Sequence, residues 1–381
     1  MNRRQFLGAV GSAAILNMDN LSSQSLAQTT GDTPEEIYKR AYAIDAMCFA
    51  AEPPRGYVQY LTGDKILALK TSGITAMAMN MTAGYDELSR SESLFAAVKD
   101  RIQIWDRFVI DHQDVFKKIV TVADLEDAKE SGHVGVIFCF QMSAPFGWDL
   151  AKLKSFSEMG VRQIQLVDGR RNYLADSCWE PSNAGLSQFG FEAVEAMNVN
   201  KIIVDLSHVG EQSALDAILT SKQPVIFSHS GCYALCPHPR NVSDRNIRAM
   251  ADQGGVFCIY NQSGWLTTDP VVSIDHYLSH VTHVINLVGE DHVGVGTDQD
   301  AVDMTAMRPN EIMRHQESFK RRRSNFPQLT WAVRHMRVPE LSHPKRLFHL
   351  ANAMHEKGYM PRVIEKVLGG NYRRAFNEVI G

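Results

Sequence analysis

A strong excess of charge of either sign is missing from this sequence. Its 39 Lys and Arg stand against 43 Asp and Glu, a formal net charge of −4, which gives no electrostatic case for a nucleic-acid partner. A Gly-rich phosphate loop is missing too. The first strand-like run and its continuation, AIDAMCFAAEPP, contains no glycine, which counts against a doubly wound nucleotide-binding sheet, the runner-up architecture. Cysteine is sparse, and Cys232 and Cys236 have no second cysteine pair beside them, so a four-thiolate zinc site is not expected. Those two are expected to bridge if oxidised, whereas Cys139 and Cys258 lie in apolar runs as buried thiols. The apolar stretch near the N-terminus is too short for a membrane-spanning helix.

What the N-terminus does carry is a pair of arginines. In MNRRQFLGAVGSAAIL, Arg3 and Arg4 precede Phe6 and Leu7 and a weakly apolar stretch, and Ser25-Leu26-Ala27 offers small residues for cleavage. This is the pattern of a twin-arginine export signal. The expectation is a removed signal over 1–30, a single domain over 31–381, a periplasmic product, and the twin-arginine export machinery as a partner.

Eight short β-rich runs follow: AIDAMCF, GITAMAMNM, HVGVIFCF, VRQIQLV, IIVDLSH, PVIFSHS, GVFCIY and HVGVGTD. Segments with apolar residues at helical spacing separate them, among them SESLFAAVKDRIQIWDRFV, FGFEAVEAMNVN, EQSALDAILTS and DRNIRAMADQGG. Strand and helix alternating eight times predict an α/β fold of the (β/α)8 TIM-barrel type, and 44% hydrophobic residues over this length suffice to fill it. The stretch from Met304 to about Pro344 breaks the alternation and is expected to be a partly helical excursion with a solvated basic face.

The chemistry is expected where strands end, since a side chain at the carboxyl end of a barrel strand points into the site. Three runs end in metal-capable groups: His208, His229 and Asp298. Two imidazoles and a carboxylate make the set that catalytic zinc uses, with a coordination position left open. Asp205 is expected to bond a neighbouring amide as a structural group. His238 is read as a solvated loop residue, and His276, His280 and His283 as side chains of an outer helix without a role.

The stretches IIVDLSHVG, PVIFSHSGCYALCPHPRNVSD, HVGVGTDQD and VLGGNYRR, with GVRQIQLVDGRRNYLADSC between, resemble the membrane dipeptidase (renal dipeptidase, M19) family of zinc peptidases. The resemblance implies that His208 and His229 hold a metal, that Asp298 is the last-strand aspartate, and that Arg240 grips a substrate carboxylate. It also implies departures. Met47-Cys48-Phe49 stands where the family has His-x-Asp, Gln141 where it has a metal-bridging glutamate, and Asp168 where it has a histidine that stabilises the intermediate. Two adjacent divalent cations repel and need anionic ligands between them, so at most one metal, zinc, is expected. Its third ligand would be Asp298, or else Asp168, and Asp298 is also the candidate proton carrier.

Arg240, Asp168, Gln141 and Met47 are expected to face the substrate, a small molecule or short peptide, in a mouth made apolar by Phe49, Phe140, Met142, Phe146 and Trp148. The function implied is hydrolysis of a small dipeptide-like amide by a metal enzyme. A non-hydrolytic isomerase, lyase or maturation enzyme for a peptide-derived secondary metabolite, such as a siderophore precursor, is the alternative. A catalytically decayed binding protein is the third reading. A homodimer is what the family's habit implies.

Overall fold

Alternation along the strands sets up two hydrophobic layers, and those layers determine the architecture. The computed structural model describes residues 31–50, 61, 63–85, 91–303 and 337–381. Residues 1–30, where an export signal is expected, and most of the 304–344 excursion lie outside the described residues.

The strands are β1 (Ile44–Phe49), β2 (Ala76–Asn80), β3 (Phe116–Lys118), β4 (Val134–Phe140), β5 (Val161–Gln165), β6 (Ile203–Asp205), β7 (Ile226–Ser230), β8 (Val256–Ile259), β9 (Val293–Val295) and β10 (Gln299–Asp300). All pairings are parallel, in the order β10-β1-β2-β4-β5-β6-β7-β8-β9, with β3 set against the first half of β4. β9 pairs with β8 and β10 pairs with β1. Because β9 and β10 belong to one run, 293–300, that run joins the two ends of the sheet. This is the (β/α)8 TIM-barrel type of fold, with each predicted run contributing a strand.

Every second residue faces inward. Ile44, Ala46, Ala76, Ala78, Ile137, Cys139, Ile203, Ile226, Val256 and Cys258 form one buried cluster, and their neighbours Met77, Met79, Val136, Phe138, Val204, Phe227 and Phe257 belong to the layer under the helices. The interior is a filled core and not a pore. Tyr372 and Phe376, from the helix Asn371–Ile380, join the inner cluster. Tyr372 Oη donates to Gln163 Oε1 at 2.9 Å, so this last helix plugs the amino end of the barrel. Gly369 precedes it because a Cβ there would collide with the Tyr42 carbonyl oxygen.

The helices begin where the sequence supplies caps. Thr121 and Asp124 form a capping box on Val122–Ser131, and Gly132 at φ 73° ends it. Ser187 caps Gln188–Val199, and Ser243 caps Asp244–Asp252, where Ile247 and Met250 are buried.

The helix Ile274–Val288 carries the three spaced histidines as an outer barrel helix. His276 pairs with Asp269 and His283 with Asp244. His280 is buried; its Nδ1 accepts the Cys232 backbone N–H at 2.9 Å and its Nε2 donates to the Leu266 carbonyl at 2.9 Å. Burial pushes its pKa down to about 4, against the opposing pull of the Leu266 bond. The folded state thus keeps His280 neutral, while the unfolded chain takes a proton near the ordinary value of about 6.5. Stability from this group is complete above pH 6.5 and drains away as pH falls towards 4, by roughly 3 kcal/mol. Urea unfolding at pH 7 and pH 4.5 should therefore show a steeper loss for the native chain than for His280→Asn. Equal slopes would mean that His280 is not the group responsible.

Candidate active site

The site stands at the carboxyl ends of β4, β6, β7 and the 293–300 run. β6 ends at Asp205, and the chain then turns so that His208 sits at φ 65°; Asp298, between β9 and β10, sits at φ 53°. Only four non-glycine residues among those described have such a left-handed backbone, and two of them are here. Such residues cost on the order of 1–3 kcal/mol each and persist where the surroundings hold them for a purpose. His229 lies inside β7 at a break of register between Phe227 and Ser230, which frees its ring from strict alternation.

The two imidazoles meet tip to tip. His208 Nε2 is 3.0 Å from His229 Nε2, and Gln141 Nε2 lies 3.5 and 3.3 Å from them. The far nitrogens each lie near an oxygen. His208 Nδ1 is 3.1 Å from Asp168 Oδ1. His229 Nδ1 is 2.7 Å from Ser228 Oγ, which itself bonds the Asp205 carboxylate. Asp205 is fully buried and also accepts the backbone N–H groups of Ser207 and Ser228, each at 3.0 Å, and Gln163 Nε2 at 3.1 Å. Burial pushes its carboxyl pKa up, and these donors work the other way.

Since the carboxylate only accepts, Ser228 gives its proton to Asp205 and receives one from His229 Nδ1. His229 therefore carries its proton on Nδ1 and turns its Nε2 lone pair towards His208 Nε2 and the site. Burial, helped by the Arg240 charge, holds the His229 pKa well below the histidine range, so this ring is neutral and ready to act as a ligand. The two Nε2 atoms lie 3.0 Å apart, close enough for one zinc ion bonded at about 2.0–2.1 Å to reach both.

The expected third ligand does not join them. Among the described residues no three His, Cys, Asp or Glu side chains converge to hold a metal. The Asp298 carboxylate is engaged instead by Gln262 Nε2 at 3.0 Å, and its backbone N–H is given to the Met47 carbonyl at 3.0 Å. Asp168, the second candidate, lies instead 3.1 Å from the outer nitrogen of His208, away from the Nε2 pair. Met47 corrects another expectation. The β1–β2 register shifts between Asp45 and Cys48, Met47 turns into the inner apolar cluster, and it is wholly buried there with no surface for a substrate. Cys48 faces outward, 3.0 Å from Arg346 Nη2.

Arg240 is buried behind His229. Its Nη2 donates to the His229 carbonyl at 2.9 Å, and its guanidinium lies 5.6 Å from the Tyr260 ring and 5.7 Å from that of Trp265. A cavity of about 390 Å³ is lined by both His208 and Arg240, together with Cys178, Glu180 and Glu211. His238 departs from the solvated reading, since it is buried, stacked on Trp265 at 5.5 Å, and accepts the Arg240 backbone N–H at 3.1 Å. It thereby props the loop that carries Arg240. Phe140 and Phe146 are fully buried core residues, while Trp148 is exposed and packs on Tyr173 and Phe189. Cys232 and Cys236 are free thiols.

Sequence reasoning passed over Ser228, Asn80 and Gln262. The serine left a trace, because the strings DLSH and FSHS each set a serine directly before a site histidine. Asn80 and Gln262 left none, since their partners are 61 and 36 residues away.

A sequence model of the family described as membrane dipeptidase (Peptidase family M19) matches residues 66–317. A dipeptidase of Claviceps purpurea, tcpJ, is 33% identical over 231 residues, which is 60% of this chain and 47% of that protein. The match thus spans about half the length of that curated relative. An amidohydrolase from Pseudomonas aeruginosa superposes with a TM-score of 0.76 at 26% identity, over 91% of this chain and 99% of the other. A metallo peptidase from Rhodobacter sphaeroides, liganded with a phosphinate mimic of the dipeptide L-Ala-D-Ala, gives a TM-score of 0.64 at 19% identity, over 95% of each chain.

Proposed function

This chain belongs to the membrane dipeptidase family, and we propose that it hydrolyses a small dipeptide-like amide with at most one metal ion, zinc, held by His208 and His229. The observation that carries this reading is the convergence of two imidazole Nε2 atoms 3.0 Å apart, with Asp168 3.1 Å from the outer nitrogen of His208 and the Ser228–Asp205 pair behind His229. A zinc ion bound there would supply an acidified water and a polarised carbonyl.

The remaining parts are this chain's own. Arg240 offers a fixed positive charge on the same cavity as His208 and suits the carboxylate of a dipeptide. Asp298, held by Gln262 beside the site, is the residue assigned to move a proton to the leaving amine. Gln141 brings a neutral amide in place of an anion, which favours one cation over two. The arginine pair at Arg3 and Arg4 supports export to the periplasm by the twin-arginine route.

Chelation and restoration test the reading. A panel of dipeptides, L-Ala-D-Ala included, should be hydrolysed by the purified chain, lose turnover after treatment with a chelator, and regain it with about one equivalent of zinc. Turnover that ignores the chelator, or zinc content at background, would overturn it.

A further inference from the structure

The amide of Gln141 has a direction, and unambiguous donors fix it. The backbone N–H of Thr82 donates to Asn80 Oδ1 at 2.8 Å, and Thr82 Oγ1 donates to the same atom at 2.7 Å. The Gln141 backbone N–H lies 3.3 Å from that oxygen and 3.1 Å from Thr82 Oγ1. A backbone N–H can only donate, so the Asn80 atom it meets is oxygen and the other end of that amide is NH2. That NH2 donates to Gln141 Oε1 at 3.0 Å. Gln141 Oε1 is thereby taken, and its own NH2 is left facing His208 and His229. Asn80 ends β2 and is nearly fully buried, so water does not compete for these bonds.

We propose that Asn80 is a positioning residue that sets the polarity of Gln141, so that Gln141 meets the site as a hydrogen-bond donor and not as a ligand atom. The inference rests on the hydrolase reading above for its consequence, though not for its geometry. A cation between the imidazoles then has His208 and His229 as its protein ligands, and the Gln141 N–H groups are aimed at an oxygen of whatever else binds there. The group recognised is a hydrogen-bond acceptor, such as the carbonyl oxygen of an amide substrate or the anionic oxygen that develops from it.

Asn80→Asp separates this from a structural role. An aspartate still accepts from Thr82 and from the Gln141 backbone, but it has no proton to give Gln141 Oε1. The Gln141 amide should turn round, donate to the new carboxylate and present its oxygen to the imidazoles as a third ligand. Zinc titration by calorimetry should show affinity rising about tenfold or more, the scale on which outer partners tune a metal site. The added charge alone also attracts zinc, so the same substitution is made in a Gln141→Leu background, where the gain should shrink to less than about twofold. An equal gain in both backgrounds, or none in either, overturns the proposal.

A second readout needs no metal. In the metal-free native chain the Gln141 side-chain NH2 protons should show nuclear Overhauser contacts to the Hε1 and Hδ2 protons of His208 and His229, and these should vanish in Asn80→Asp. Their absence from the native chain overturns the proposal. A native chain that shows the contacts but binds no zinc would overturn the hydrolase reading and leave the polarity of Gln141 established.

Discussion

Replacing His229 with alanine is expected to weaken zinc binding by on the order of 10²–10³-fold and to reduce dipeptide turnover to background. A four-ligand zinc site contributes roughly 10–16 kcal/mol, so one ligand's share is several kcal/mol, and here only two protein nitrogens converge. The main-chain bonds at this position survive the substitution, because the backbone N–H donates to Ser207 Oγ and the carbonyl accepts from Arg240. The ring's loss leaves Ser228 bonded to Asp205, so no charge is stranded. Far-UV circular dichroism and a cooperative unfolding transition should confirm that the barrel is intact.

His208 needs a different substitution. Its backbone is left-handed at φ 65°, which asparagine tolerates better than alanine, so His208→Asn removes the ligand with least backbone strain. It should give the same loss of zinc. Either variant retaining about one zinc per chain by mass spectrometry would show that the histidine pair is not the holder, and the reading of the site would fall with it.

Much of this site was legible because the relevant physics is local. Apolar runs of strand length ending in histidine place a side chain at the carboxyl end of a buried strand, and both His208 and His229 are there. The eight runs became the barrel, because continuous apolar runs such as HVGVIFCF and GITAMAMNM bury a strand on both faces, successive residues alternating with period 2 between the inner cluster and the layer under the helices. Breaks in that period were not legible. Met47 follows from a register shift between Asp45 and Cys48, which no residue in AIDAMCF announces. Likewise β10 exists because Asp298 reverses its φ within HVGVGTDQD, and a rare backbone state in a non-glycine residue is decided by its surroundings.

The outer partners were hidden for a further reason. The type of Asp168 permits both a ligand and a substrate contact, and only the fold shows its oxygen on the far side of His208. The resemblance identified which positions had changed. It did not reveal that the change to Gln141 is matched by Asn80, 61 residues earlier in the chain.

Arg346→Met is expected to lower stability by about 3–5 kcal/mol, the cost of leaving a buried charge without its partner. Arg346 Nε donates to Asp45 Oδ2 at 2.8 Å, and both side chains are fully buried. Asp45 is on β1, and it also receives the Thr297 backbone N–H at 2.8 Å and the Thr297 hydroxyl at 2.6 Å. Thr297 belongs to the run that joins the two ends of the sheet, and Arg346 opens the helix Arg346–Glu356. One carboxylate thus ties together β1, the closing run and a covering helix. Without the guanidinium, two Thr297 bonds and a longer one from the Met47 backbone N–H, at 3.4 Å, must hold a bare carboxylate in an apolar layer beside Cys48 and Met77.

Urea unfolding measures the loss directly, and the double change Asp45→Asn with Arg346→Met isolates its cause. Asparagine still accepts from the Thr297 N–H and carries no charge, so the double variant should be more stable than Arg346→Met alone. A loss below about 1 kcal/mol in the single variant, or a double variant less stable than it, would mean that packing and not charge dominates there. The seam also borders the site, since Asp298 follows Thr297 and donates its N–H to Met47. Hydrogen exchange of the Asp298 amide should therefore accelerate in Arg346→Met while the amides of β4 keep their protection, because the fold opens first where its ring is closed.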